Sequence, residues 1–100
     1  MDYNVHDLGD SVRVRARFED NWGGGPIDPD VVKLSIRTPA GVVTTFTYDD
    51  GDEVVKYGTG QYYSDINANA AGLWHYRWFS TGNGQAAIEK RFYVNEARAL

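Results

Sequence analysis

The chain has 100 residues, 42% of them hydrophobic, with 14% aromatic, 24% charged, a net charge of −4 and no cysteine. That length supports one domain with one core, and so many aromatics exclude a disordered chain. The missing thiols remove disulfides, thiolate metal sites and a cysteine nucleophile, and the acidic balance gives no general pull toward nucleic acid or an anionic membrane.

Residues 1–10 are a polar lead-in with neither a basic start nor an apolar run, so no signal peptide is expected, and no window approaches the ~18 apolar residues of a membrane span. Leu8-Gly9-Asp10 reads as a turn. Residues 12–19 then alternate, with Val12, Val14, Ala16 and Phe18 on one face and Arg13, Arg15, Arg17 and Glu19 on the other, the pattern of a half-buried strand. The arginine stripe admits two readings: an anion or partner site, or a solvated face whose arginines pair with carboxylates on a neighbouring strand, the usual fate of exposed charge.

Residues 20–30, DNWGGGPIDPD, are a turn-rich connection in which glycines loosen the backbone and Pro26 and Pro29 fix it. The glycines lack the phosphate-loop pattern and no helix follows them. Trp22, beside them, is either a lid over the edge of the core or an exposed contact residue. Residues 31–38 form the next strand, with Val32, Leu34 and Ile36 inward, and Thr38-Pro39-Ala40-Gly41 turns it into a third strand over 42–48. Asp49-Asp50-Gly51-Asp52-Glu53 lacks the spacing of a calcium loop and reads as a solvated turn.

A short strand over 53–57 suits a sheet edge, where Glu53 and Lys56 discourage further pairing. Residues 61–67 resume alternation, with Tyr62, Ser64 and Ile66 opposite Tyr63 and Asp65. A corner over 67–72 leads into the aromatic strand 72–79, where Trp74, Tyr76 and Trp78 share one face. Each large aromatic buries roughly 150–250 Å², so that face demands a covering sheet. In immunoglobulin-like sandwiches a tyrosine after such a corner bonds back to its backbone; here the position holds Trp74, whose indole N–H can donate in its place. A polar loop over 80–85 precedes a last strand over 86–94, with Ile88, Phe92 and Val94 inward, and a tail over 95–100.

The expected fold is therefore all-β, an immunoglobulin-like antiparallel β-sandwich of about seven strands in a single domain over residues 1–100. Its expected core holds Phe18, Leu34, Ile36, Tyr62, Ile66, Trp74, Tyr76, Trp78, Phe92 and Val94. Chemistry is harder to place. His6 and His75 do not make a zinc set, Ser35, Ser64 and Ser80 lie in plain strand or turn contexts, and a filled sandwich this small leaves little room for an enclosed active site. No catalytic, metal or cofactor site is expected, and the chain is read as a non-enzyme.

Leu8-Gly9-Asp10, Pro26-Ile27-Asp28-Pro29-Asp30-Val31-Val32, Pro39-Ala40-Gly41, Gly60-Gln61-Tyr62-Tyr63, Gly72-Leu73-Trp74-His75-Tyr76-Arg77-Trp78, Gly82 and Phe92-Tyr93-Val94 together resemble the small Ig-like proteins encoded among the head and tail genes of tailed bacteriophages and prophages. The resemblance spans nearly the whole chain, but its motifs are structural and carry no binding residue across. It implies a non-catalytic virion accessory or structural protein of the head-to-tail region or capsid surface. Such a protein contacts capsid, connector or tail subunits, with self-association as a further option and no nucleic-acid or membrane partner. It would reside in the host cytoplasm during assembly and then in the virion. The alternative, from another class, is a carbohydrate-binding or adhesion module of a bacterial surface protein that stacks Trp22 and neighbouring aromatics on sugar rings. Under the first reading Arg13, Arg15, Arg17 and Trp22 are the candidate partner contacts.

Overall fold

Alternation of apolar and polar residues dictates where this chain is extended and which face of each strand is buried. The computed structural model describes residues 4–20, 23–82 and 87–96. Among them the chain forms eight strands: β1 (Asn4–Asp7), β2 (Ser11–Arg17), β3 (Val31–Arg37), β4 (Val43–Thr47), β5 (Val55–Gly58), β6 (Gln61–Asn67), β7 (Gly72–Thr81) and β8 (Ala87–Asn95). They make a five-stranded sheet in the order β1-β8-β7-β3-β4 and a three-stranded sheet in the order β2-β6-β5, packed as an all-β, immunoglobulin-like sandwich.

The core lies between the sheets. β2 contributes Val12, Val14 and Ala16, with Phe18 just beyond; β3 contributes Val32, Leu34 and Ile36; Tyr62, Ile66, Trp74, Trp78, Phe92 and Val94 complete it, together with Val54 and Ala68. Trp74 stacks on Phe92 with ring centres 5.7 Å apart and planes 12° from parallel. Its indole Nε1–H donates to the Ala70 carbonyl at 2.9 Å, so the tryptophan closes a corner of the kind that a tyrosine closes in immunoglobulin-like sandwiches.

Four sequence expectations need correction. Residues 4–7 of the lead-in are not loop but strand β1, which pairs with β8 in parallel, so the sandwich has eight strands and is not wholly antiparallel. Leu8-Gly9-Asp10 then switches the chain between sheets: Gly9 takes φ +95°, its N–H donates to Ala68 O at 2.9 Å, and Ala68 N–H returns a 2.9 Å bond to Asp10 O. Ser80 and Thr81 are not loop either; they extend β7 opposite Val32 and Val31. The edge strand starts at Val55 rather than Glu53, because Val54 turns into the core. Tyr76 is only half-buried: it shares a row with the exposed Lys90, and three strands cannot cover the whole inner face of five.

Residues 23–30, the described part of the connection before β3, are held to the smaller sheet by Asp28. One of its carboxylate oxygens accepts from Lys56 Nζ at 2.7 Å, and the other accepts from the Gly60 N–H at 2.8 Å and, more weakly, from the Tyr62 hydroxyl at 3.5 Å. Burial first, and Asp28's charge next, raise the Tyr62 phenol above its ordinary value, which keeps it a hydrogen-bond donor.

Candidate functional site

The arginine stripe lies on the outer face of the smaller sheet. Because β6 is that sheet's central strand, the outward residues of β2 and β5 meet across it: Arg13 lies opposite Asp65, and Arg15 and Val55 flank Tyr63 on its two sides. Arg13 grips Asp65 with a two-point fork, Nε to Oδ1 at 2.8 Å and a terminal nitrogen to Oδ2 at 3.0 Å. The same guanidinium lies 4.0 Å from the centre of the Tyr63 ring. Tyr57 leans on the other side of the cluster, 5.6 Å from Tyr63 with planes inclined by 52°.

The fork sets the local electrostatics. Its hydrogen bond to Arg13 holds the Asp65 carboxyl below the ordinary carboxylate range, and the guanidinium is correspondingly harder to deprotonate. Arg17 makes a different contact, a 3.2 Å pair with Glu19 two residues on, and Arg15 feels Asp65 through space. The stripe thus combines one strongly oriented arginine with two on the rim. The patch is open, with Tyr57 51% and Val55 37% exposed. Trp22, the remaining candidate contact, lies outside the described residues.

A second charged face was not singled out from the sequence. Register places Arg37, His75 and Arg91 side by side across β3, β7 and β8, with Arg77 opposite Glu89 in the next row. A shallow groove of about 240 Å³ runs there between Ser35, Arg37, His75, Tyr76, Arg77 and Glu89. Arg77 also lies 5.4 Å from the Phe79 ring centre. Each of these residues is readable from strand alternation, but their meeting depends on register, which the sequence does not display.

Among the described residues no cluster of His, Asp or Glu is arranged to hold a metal ion. The Arg13–Tyr63–Tyr57 group offers instead what protein interfaces favour: oriented arginine, tyrosine rings and an apolar neighbour in one patch. Comparison with known protein families, characterised proteins and solved structures finds no match to this chain.

Proposed function

We propose that this chain is a non-catalytic structural module that works through protein–protein contacts, and that its partners are capsid, connector or tail subunits of a tailed-phage particle. The setting comes from the sequence resemblance; the mode of action rests on one observation, the outer face of β2, β6 and β5. There Asp65 and Tyr63 already hold Arg13 in place, so a partner that docks on it does not meet the full cost of ordering a long side chain. Tyr57, Val55 and Arg15 surround it as exposed contact area.

The carbohydrate reading rests first on Trp22, which lies outside the described residues, and the described aromatics of this face favour it less. A sugar stacks on an open aromatic face, whereas Arg13 lies over the Tyr63 ring and Tyr57 is inclined to it rather than coplanar. Quantitative mass spectrometry of particles purified from the phage or prophage that encodes the chain tests the proposal. The chain should co-purify at a fixed ratio to capsid or tail subunits; its absence from the particles would refute a virion role.

A further inference from the structure

The outer face of the larger sheet carries charge that neither the core nor the arginine stripe uses. Alternation and register put Lys33 and Arg37 of β3, Arg77 of β7 and Arg91 of β8 on one surface, with Glu89 opposite Arg77. Glu89 is the only carboxylate that these three strands turn to that face, in a chain whose net charge is −4. Lys33, Arg37 and Arg77 enter none of the ion pairs among the described residues. Arg37 and Arg77 are exposed and Lys33 is half-buried.

Ser35 lies at the middle of this surface. Lys33 and Arg37 are its same-face neighbours along β3, Arg77 stands opposite it on β7, and Thr45 stands opposite it on β4. Its short side chain leaves a dip among longer ones, the shallow groove that Arg37, His75 and Arg77 also line. The Ser35 and Thr45 hydroxyls are 2.8 Å apart. One donates to the other, so the pair keeps one O–H proton to offer a guest. Cations on the rim and a hydroxyl donor at the floor suit an oxyanion, and an arginine can grip a carboxylate at two points.

We propose that this face docks an acidic, extended segment of a partner protein, whose carboxylates meet Lys33, Arg37 and Arg77 around the Ser35 groove. Charge complementarity selects an acidic guest, and the spread of the cations selects its form. Lys33 and Arg37 stand four residues apart on one strand, about 13 Å at the usual rise. The Arg37 guanidinium leans toward the hairpin turn, 4.0 Å from the Cβ position of Gly41, and that of Arg77 leans toward Phe79, 5.4 Å from its ring centre. The cations thus diverge along the groove, which fits carboxylates repeated on alternate residues of an extended peptide better than one small anion. A nucleic acid would carry its charge well past this surface onto an acidic chain.

The site is on the opposite sheet from the Arg13 patch and stands independently of the virion role. The probe is a fluorescein-labelled peptide of alternating Glu and Thr, titrated with the whole chain and read by fluorescence anisotropy. Binding should saturate at low salt and weaken severalfold toward about 150 mM, as screening requires. Arg37→Glu and Arg77→Glu should each weaken it by about tenfold or more, and Arg77→Gln by less. Lys90→Glu changes the net charge equally, but Lys90 turns to the other face of β8, so that variant should bind within about twofold of the parent. Amide shifts on adding the peptide should concentrate at residues 33–37 and 75–79. No saturable binding at low salt, equal loss in Lys90→Glu, or shifts centred on Arg13 and Tyr63 would overturn the proposal. So would a short DNA duplex or inorganic phosphate that displaces the peptide at a lower concentration than unlabelled peptide does, or self-association that Arg77→Glu abolishes, which would give the face to a second copy.

Discussion

Asp28 accepts a 2.7 Å hydrogen bond from Lys56 and so ties the loop that crosses between the sheets to the edge strand β5. That bond, first, and the Gly60 N–H, second, hold the Asp28 carboxyl below its ordinary range, as Arg13 holds Asp65. A carboxylate whose folded pKa is depressed contributes stability above the unfolded value near ~4, and that contribution is lost as pH falls through the folded value. The melting temperature should therefore fall on the acid side of about pH 4, and Asp28→Asn with Asp65→Asn should lower it at neutral pH while flattening the acid limb. Both carboxylates are exposed, so added salt should shrink the difference. An acid limb identical in the double variant would show that the two pairs contribute nothing.

Trp74 supplies both packing and a hydrogen bond. Trp74→Ala should cost roughly 3–5 kcal/mol in denaturant unfolding, the usual loss for truncating a buried large aromatic. Trp74→Phe keeps part of the stack on Phe92 but leaves the Ala70 carbonyl without its donor, adding about 1 kcal/mol to the cost of the lost volume. An unchanged midpoint in the alanine variant would contradict the buried placement.

Gly60 sits in the turn between β5 and β6 with no room for a side chain. It takes φ +68°, and a Cβ would run into the Phe18 carbonyl and come within 2.8 Å of the Ile27 carbonyl, both backbone atoms that cannot swing away. Gly60→Ala should cost more than about 1 kcal/mol, the backbone term alone. It should also loosen the Asp28 contact, visible as faster exchange of the Gly60-position amide. A neutral substitution would mean that this turn adjusts freely.

Local pattern carried most of the fold. Val12 to Phe18, Val32 to Ile36 and Trp74 to Trp78 alternate strictly, and each inward residue named for those stretches is in the core except Tyr76. β1 was illegible because Asn4-Val5-His6-Asp7 has one apolar residue, and backbone bonds to a strand at the far end of the chain hold it in place. Register hid the rest. Alternation put Arg13 and Asp65 on outer faces, but their fork joins positions 52 residues apart, and nothing local announces it. Asp28 looked like one more loop carboxylate until Lys56 and Gly60 closed around it.

The outer patch can be tested without disturbing the core. Arg15→Glu with Tyr57→Ala changes two exposed side chains and leaves the Arg13–Asp65 fork in place, so the isolated double variant should melt within a few degrees of the parent. For the proposed virion role the decisive measurement is its incorporation into purified phage particles in competition with the parent chain. Loss of about tenfold or more in incorporation, at unchanged melting temperature, is the result a contact surface predicts. Incorporation equal to the parent would contradict it and leave the arginine stripe a solvated face.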